Sequence, residues 1–220
     1  MSTLPKSTSI STHSPSFTFD RQYGEHILGI DEVGRGPLAG PVISSCVYIP
    51  RDIQDHPIWQ SVTDSKKLSL KKREFIYETL KELILFGLGE ASCLEIDKLN
   101  IHHATLLAMN RAYEDLQSKL PDDATYLALI DGKFAPTIAA KTHTVVKGDS
   151  TSLSIATASI IAKVTRDRLM VRLHQDHPQY GWNKNAGYGT QQHRQAIEIH
   201  GITPYHRLSF EPCKTHVQAI

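Results

Sequence analysis

Cysteine is scarce in this chain, which has three in 220 residues. Cys46, Cys93 and Cys213 lie far apart, with no paired spacing between them. This pattern argues against a disulfide framework and against a structural zinc site, and it fits a reducing compartment. We therefore expect the protein to be cytoplasmic.

Long hydrophobic runs and a strong net charge are also missing. No apolar run approaches the roughly 20 residues that cross a bilayer, and the N-terminus lacks the apolar core of a signal peptide. We therefore expect no association with a membrane. The formal charge of +1 does not by itself indicate a nucleic-acid-binding protein, so such a role must come from local clusters of Lys and Arg.

The chain divides into one folded region and two tails. Residues 1–22 begin with a stretch rich in Ser and Thr, which predicts a flexible tail. Residues 23–212 have the composition of a single globular domain, and residues 213–220 form a second short tail in this interpretation.

Hydrophobic periodicity predicts an α/β fold, because strand-like and helix-like segments alternate along most of the chain. We expect strands at 27–30, 42–49, 87–93, 126–130 and 142–146. We expect helices near 70–85, 101–116 and 153–173, with a short helix after Thr190. Together these elements predict a mixed β-sheet flanked by helices, with a small helical C-terminal extension.

Acidic residues end three of the predicted strands. Asp31 and Glu32 follow the first apolar run, and Asp131 and Asp149 follow two later ones. Carboxylates that meet at strand ends repel one another unless a cation neutralises them, and oxygen ligands of this kind suit Mg²⁺ or Mn²⁺. Two such ions about 3.5–4 Å apart would clamp an in-line phosphodiester displacement. The alternative is that each acid only caps a loop or a helix start, an argument that is strongest for Asp149.

A Gly34-Arg35-Gly36 turn follows the first acidic pair. Glycine has no Cβ, so the backbone of such a turn can approach a ligand closely. An exposed backbone beside an arginine and paired carboxylates suggests phosphate chemistry.

The segment from Asp31 to Val42 closely resembles the signature of ribonuclease HII, the type 2 ribonuclease H. The resemblance continues in the family's order from about Tyr23 to Pro212. It includes the segments Asp64-Ser-Lys-Lys-Leu68, Glu95-Ile-Asp97, Leu129-Ile-Asp-Gly132, Lys147-Gly-Asp149, Gly187-Tyr-Gly-Thr190 and His206-Arg-Leu-Ser-Phe210.

This resemblance implies a ribonuclease H-like fold and a metal-dependent endonuclease that acts on nucleic acid. Such enzymes cut the RNA strand of RNA–DNA hybrids and incise duplex DNA on the 5′ side of embedded ribonucleotides. By resemblance, the active site consists of four acids, Asp31, Glu32, Asp131 and Asp149. A turn formed by Gly34, Arg35 and Gly36 recognises the ribose 2′-hydroxyl, and Tyr188 stacks on the neighbouring deoxyribose. Ser65 and Lys66 contact phosphate. We separately expect the protein to be a monomer.

The chain departs from the family pattern at one position. Ala186 stands where the family often has lysine, so a phosphate contact is either lost or supplied by Lys184. Two alternatives stay open at this point. One is the sister family, ribonuclease HIII, although about 24 residues before the first strand are too few for its N-terminal domain. The other is a hybrid-binding module that has lost catalysis, although all four acids are present.

Other polar residues have more ordinary interpretations. Histidines without a metal-ligand spacing are usually packing or surface residues, and this applies to His102, His103, His143, His193 and His206. Clusters of basic residues such as Lys163, Arg166 and Arg168 are typical of solvated helix faces.

Overall fold

A five-stranded mixed sheet forms the centre of the molecule. The computed structural model describes residues 14–121 and 124–218. The strands are β1 (Ile27–Val33), β2 (Val42–Tyr48), β3 (Leu85–Ala91), β4 (Leu127–Asp131) and β5 (Lys141–Val145). Their order in the sheet is β3-β2-β1-β4-β5. The β1–β2 and β2–β3 pairs are antiparallel, whereas β1–β4 and β4–β5 are parallel.

Helices flank this sheet, as the sequence predicts. They are α1 (Phe17–Asp20), α2 (Leu70–Leu80), α3 (Cys93–Gln117), α4 (Leu153–Asp176), α5 (Trp182–Asn185), α6 (Gln191–His200) and α7 (Cys213–Gln218). Short 3-10 helices lie at Arg51–Ile53, Pro57–Ser61, Ser65–Lys67, Gly148–Ser150 and Pro178–Tyr180. The predicted mixed α/β architecture is confirmed.

The two long helices cover opposite faces of β1. Leu28 and Ile30 pack with Met109 of α3, whereas a Cβ added to Gly29 would lie 2.2 Å from the main chain of Ser154 in α4. Successive residues of a strand point to opposite faces, so β1 is sandwiched between α3 and α4. This explains its unbroken apolar run, which is typical of a strand buried on both sides.

The third helix begins eight residues earlier than the predicted start at 101. A capping box formed by Ser92 and Glu95 starts α3 at Cys93. The helix is then interrupted at Asn100, where φ is 65° and ψ is 165°. The Asn100 side chain accepts hydrogen bonds from the backbone N–H groups of His102 and His103 and restarts the helix. The predicted helix is this second part, because its apolar spacing begins after the interruption.

Both predicted tails contain ordered structure. Within 1–22, residues 17–20 form α1, and the buried Asp20 side chain accepts bonds from the backbone N–H and the hydroxyl of Ser154. Within 213–220, residues 213–218 form α7, and Cys213 is fully buried. Residues 1–13 of the predicted N-terminal tail lie outside the described residues. In the part of the chain that the structure describes, no helix is long and apolar enough to cross a bilayer.

Replacing Gly29 by alanine should separate α4 from β1. The added Cβ would lie 2.2 Å from the Ser154 main chain, so we expect the Gly29→Ala free energy of unfolding to fall by about 2–4 kcal/mol. Urea titration measures this change. Gly36→Ala is the control, because its Cβ would make an ordinary 3.5 Å contact with the Tyr188 ring. Equal losses in the two variants would contradict this packing argument.

Candidate active site

The four predicted acids lie at one edge of the sheet. In the parallel β1–β4 pair, Ile30 lies opposite Ile130, so the next residue of each strand, Asp31 and Asp131, emerges at the same end. Asp149 follows β5 in the 3-10 helix Gly148–Ser150. That helix contacts the site directly, because the backbone N–H of Gly148 donates to Asp131 Oδ1 at 2.7 Å.

Asp31 is the most deeply buried of these acids, with 5% of its surface exposed. Burial raises its pKa well above the ordinary value, and the charges of Glu32 and Asp131 raise it further. Two donors oppose this shift, namely the Ser159 hydroxyl and the Glu32 backbone N–H, which lies 2.7 Å from Asp31 Oδ1. At neutral pH the Asp31 carboxylate is therefore held in an unfavourable environment.

The pKa values of Glu32 and Asp131 are raised as well. Burial raises the pKa of Glu32, and the guanidinium of Arg35, 3.3 Å from Glu32 Oε1, partly offsets the shift. Burial likewise raises the pKa of Asp131, the Gly148 N–H opposes it, and the charge of Asp149 adds to it. The acids therefore interact electrostatically, and their mutual repulsion is relieved by protonation or by a cation.

The carboxylate oxygens at this site are the type of donor that a hard divalent cation prefers. Glu32 Oε2 is buried and has no hydrogen-bond partner among the residues that the structure describes. An unsatisfied buried carboxylate oxygen favours a cationic ligand. Across residues 14–121 and 124–218, no three acidic, histidine or cysteine side chains are arranged to hold one ion.

The Gly34-Arg35-Gly36 segment, here called the recognition turn, lies beside Tyr188. Gly34 has a φ of 94°, which favours glycine. A Cβ built on Gly36 would lie 3.5 Å from the Tyr188 ring, and 46% of Tyr188 is exposed. The structure thus brings the predicted 2′-hydroxyl and stacking residues together at the surface.

The two predicted phosphate contacts occupy different environments. Lys66 is exposed, and its charge lowers the pKa of Asp131, so the ammonium lies near the acids. Ser65 is 2% exposed, and its hydroxyl lies 3.0 Å from the Ser159 hydroxyl. Because Ser159 also bonds to Asp31, the Ser65 side chain supports the acidic site from the interior.

Known proteins match this chain over most of its length. The family description for ribonuclease HII matches residues 28–213. A ribonuclease HII of Magnetococcus marinus is 52% identical over 189 residues, which are 86% of this chain and 85% of the relative. A ribonuclease HII of Gluconobacter oxydans is 47% identical over 207 residues, which are 93% of this chain and 97% of the relative. The chain belongs to the ribonuclease HII family.

Membership fixes the class of activity. The protein is a type 2 ribonuclease H, a hydrolase that acts on nucleic acid and belongs to a divalent-metal-dependent group of enzymes. The curated relatives are ribonucleases HII, so the ribonuclease HIII and inactive-module alternatives are not favoured.

Solved structures confirm the fold. The ribonuclease H2 from Pyrococcus horikoshii OT3 matches with a TM-score of 0.68 and 22% identity, over 89% of this chain and 98% of that one. Bst-RNase HIII in complex with Mn²⁺ matches with a TM-score of 0.75 and 20% identity, over 97% of this chain and 76% of that one. At these identities the likeness establishes the ribonuclease H-like fold.

Two buried arginines hold the β1–β2 loop of this ribonuclease HII, and one of them binds the recognition turn directly. Arg207 is fully buried and donates to the carbonyl oxygens of Gly34, Arg35 and Gly40. A guanidinium has five donors in a rigid fork, so one side chain can satisfy several carbonyls of a curved loop.

Arg166 makes a second set of hydrogen bonds, which reaches the loop before Tyr188. It is fully buried, unlike a typical residue of a solvated basic face, and it donates to the carbonyls of Ala39, Pro41 and Ala186 at 2.8–2.9 Å. Arg166 therefore connects the β1–β2 loop to the loop before Tyr188. Sequence reasoning missed both arginines, because residue type alone favours an exposed position.

Ala186 occupies a left-handed backbone conformation, with φ 48° and ψ 31°. This conformation costs a non-glycine residue about 1–2 kcal/mol. The hydrogen bond from Arg166 to the Ala186 carbonyl compensates for part of that cost. Lys184 is exposed two residues earlier in α5, where its ammonium is accessible to a phosphate.

Replacing Arg207 by lysine should loosen the recognition turn. A lysine ammonium is a compact charge that cannot reproduce the fork-shaped contacts, so we expect Arg207→Lys to lower the free energy of unfolding by about 2–4 kcal/mol. Chemical denaturation measures this loss. Arg172→Lys, at an exposed position of α4, is the matched control and should change stability by less than about 0.5 kcal/mol. Similar effects of both variants would argue against this role of Arg207.

Proposed function

We propose that this ribonuclease HII hydrolyses the phosphodiester on the 5′ side of a ribonucleotide, both in duplex DNA and within the RNA strand of RNA–DNA hybrids. The proposal rests on one observation: buried, mutually repelling carboxylates lie at the strand ends directly beside the recognition turn. In this reaction water oxygen bonds to phosphorus and the bond from phosphorus to the 3′ oxygen breaks. The products are a 3′-hydroxyl and a 5′-phosphate.

In this proposal the acids have the role of metal ligands. Asp31, Glu32, Asp131 and Asp149 would hold Mg²⁺ or Mn²⁺, which when bound supplies the positive charge that stabilises the transition state of phosphoryl transfer. The unpartnered Glu32 Oε2 and the raised pKa values of Asp31 and Asp131 support this role. Arg35 and Gly148 keep individual oxygens oriented before an ion binds.

Selectivity for a ribonucleotide is assigned to the recognition turn and Tyr188. The 2′-hydroxyl is the group that distinguishes RNA from DNA at a given position. Arg207 holds the carbonyls of Gly34 and Arg35, so the turn is preorganised to read that hydroxyl through its backbone. Tyr188 would stack on the adjacent deoxyribose. Lys66 would contact a substrate phosphate directly, whereas Ser65 would act indirectly by supporting Asp31.

Compartment and assembly complete the proposal. Cys46, Cys93 and Cys213 are buried free thiols, which suits a reducing compartment. We place the enzyme in the cytoplasm, acting as a monomer.

Replacing Asp31 by asparagine should abolish cleavage without unfolding the protein. Loss of one metal-binding carboxylate removes several kcal/mol of transition-state stabilisation, so we expect turnover on a DNA duplex with one ribonucleotide to fall by at least about a thousandfold. Asp176→Asn, at an exposed position near the end of α4, is the matched control and should keep normal turnover. Near-normal cleavage by Asp31→Asn would refute the metal-binding role.

Divalent cations should stabilise the folded protein through the same acids. An ion that binds only the native state, at 100 times its Kd, adds about 2.7 kcal/mol to the free energy of unfolding. Thermal unfolding with and without Mg²⁺ or Mn²⁺ measures this shift, which should be much smaller for Asp31→Asn. An equal shift in both proteins would place the ion elsewhere.

Without metal, the ionised Asp31 side chain should lower the free energy of unfolding. The folded-state pKa of Asp31 is raised above its unfolded value, near 3.8, so ionised Asp31 destabilises the fold. This destabilisation is absent below the unfolded-state pKa, grows as the pH rises from there to the folded-state pKa, and is constant above it. Metal-free Asp31→Asn should therefore be more stable than the wild type at pH 7, and the difference should disappear in acid.

A further inference from the structure

Two buried histidines lie beneath the loop that contains Tyr188, and the proposed reaction does not use them. His193 and His206 are 0% and 1% exposed, and their Nε2 atoms are 3.1 Å apart. We infer that both are positioning residues that hold Tyr188 against the recognition turn through hydrogen bonds of fixed direction. This inference rests on the substrate-stacking role proposed for Tyr188.

The direction of the hydrogen bonds is set first at His206. The backbone N–H of Thr203 lies 2.9 Å from His206 Nδ1 and can only donate. His206 Nδ1 is therefore an acceptor without a hydrogen, and in the neutral ring the hydrogen is on Nε2. The His206 Nε2–H consequently donates to His193 Nε2.

A second donor fixes the tautomer of His193. The indole Nε1–H of Trp182 lies 3.1 Å from His193 Nε2 and also can only donate. A ring nitrogen that accepts from both neighbours has no hydrogen, so the hydrogen of His193 is on Nδ1. That Nδ1–H donates to the carbonyl oxygen of Tyr188 at 3.0 Å.

The surroundings keep both rings neutral. Burial is the largest effect, and it lowers the pKa of His193 and brings the pKa of His206 to about 3. The titratable and charged groups that face the pair are Arg194, His177 and His216, each of which opposes a further positive charge, and the phenol of Tyr180. A protonated His193 would also place an N–H against the donors of Trp182 and His206.

The hydrogen bond from His193 Nδ1 to the Tyr188 carbonyl connects the loop that contains Tyr188 to α6. The other main-chain bonds of Tyr188 are local, since its N–H donates to the Asn185 carbonyl and its own carbonyl accepts from the N–H of Thr190, each at 2.8 Å. Loss of the Nδ1–H donor would therefore leave the loop folded but let the Tyr188 ring shift from the recognition turn. Since Tyr188 orients substrate and takes no part in bond breaking, the change should appear in KM and leave kcat nearly unchanged.

Nitrogen-15 NMR of the imidazole rings tests the tautomers directly. Long-range correlations at pH 7 should show two neutral rings, His193 with hydrogen on Nδ1 and His206 with hydrogen on Nε2, and His206 should stay neutral down to pH 5. Spectra of His193→Gln and His206→Phe assign the signals. Finding hydrogen on His193 Nε2, or either ring protonated at pH 7, would overturn the inference.

Two substitutions at position 193 separate positioning from simple stability. His193→Asn keeps a donor near the place of Nδ1, whereas His193→Gln keeps an acceptor near the place of Nε2 and loses the donor to Tyr188. On a DNA duplex with one ribonucleotide, we expect His193→Gln to raise KM about fivefold to tenfold, the worth of about one hydrogen bond. His193→Asn should keep KM within about twofold, although unpaired donors of Trp182 and His206 lower its Tm.

The remaining outcomes are also decisive. A purely structural role predicts that KM rises in both variants in proportion to the loss in Tm, and this result would overturn the inference. His200→Gln, at an exposed position of α6, is the control and should change neither quantity. If Tyr188→Ala raises KM but His193→Gln does not, only the inference fails. If Tyr188→Ala leaves KM unchanged, the proposed role of Tyr188 fails as well.

Discussion

The contact between two buried guanidinium groups and the carbonyl oxygens of the β1–β2 loop determines the shape of the substrate side of this enzyme. Arginine stays charged in proteins, so its burial is costly unless its donors are satisfied. Arg166 and Arg207 meet this condition with main-chain oxygens from residues 34–41 and 186. The loop is folded around the two side chains, and its conformation exists before substrate binds.

The burial of these arginines also explains why position 34 of the recognition turn is a glycine. A Cβ on Gly34 would lie 2.2 Å from Arg166 Nε and 2.8 Å from the Pro41 carbonyl. Glycine is thus needed there for two reasons, a positive φ and the close approach of a guanidinium. The same substitution would disturb Arg166 and, through the Ala186 carbonyl, the loop that precedes Tyr188.

Local patterns in the sequence predict the elements that depend on local physics. The apolar run 27–30 predicts a buried strand, and acids after three strands predict their convergence, because parallel neighbours end at one edge of a sheet. Arg166 and the His193–His206 pair could not be predicted in this way. Their burial depends on partners far along the chain, such as the Pro41 carbonyl, 125 residues from Arg166. The helical start at Cys93 was missed because Asn100 divides α3 into two apolar patterns.

The topology of the sheet places the recognition turn at a fixed separation from the acids. Strand β1 pairs antiparallel with β2, and Val33 lies opposite Ile43, so the connecting loop must leave the sheet at the edge where Asp31 and Asp131 meet. Asp31 and Gly34 are three residues apart on one chain, a span of at most about 10 Å at roughly 3.3 Å per residue. In the proposed role of the turn, a ribose bound there would have a neighbouring phosphate within that distance of the acids. Because Arg207 holds the carbonyls of Gly34 and Arg35, the backbone of β1 and its following turn fix this separation.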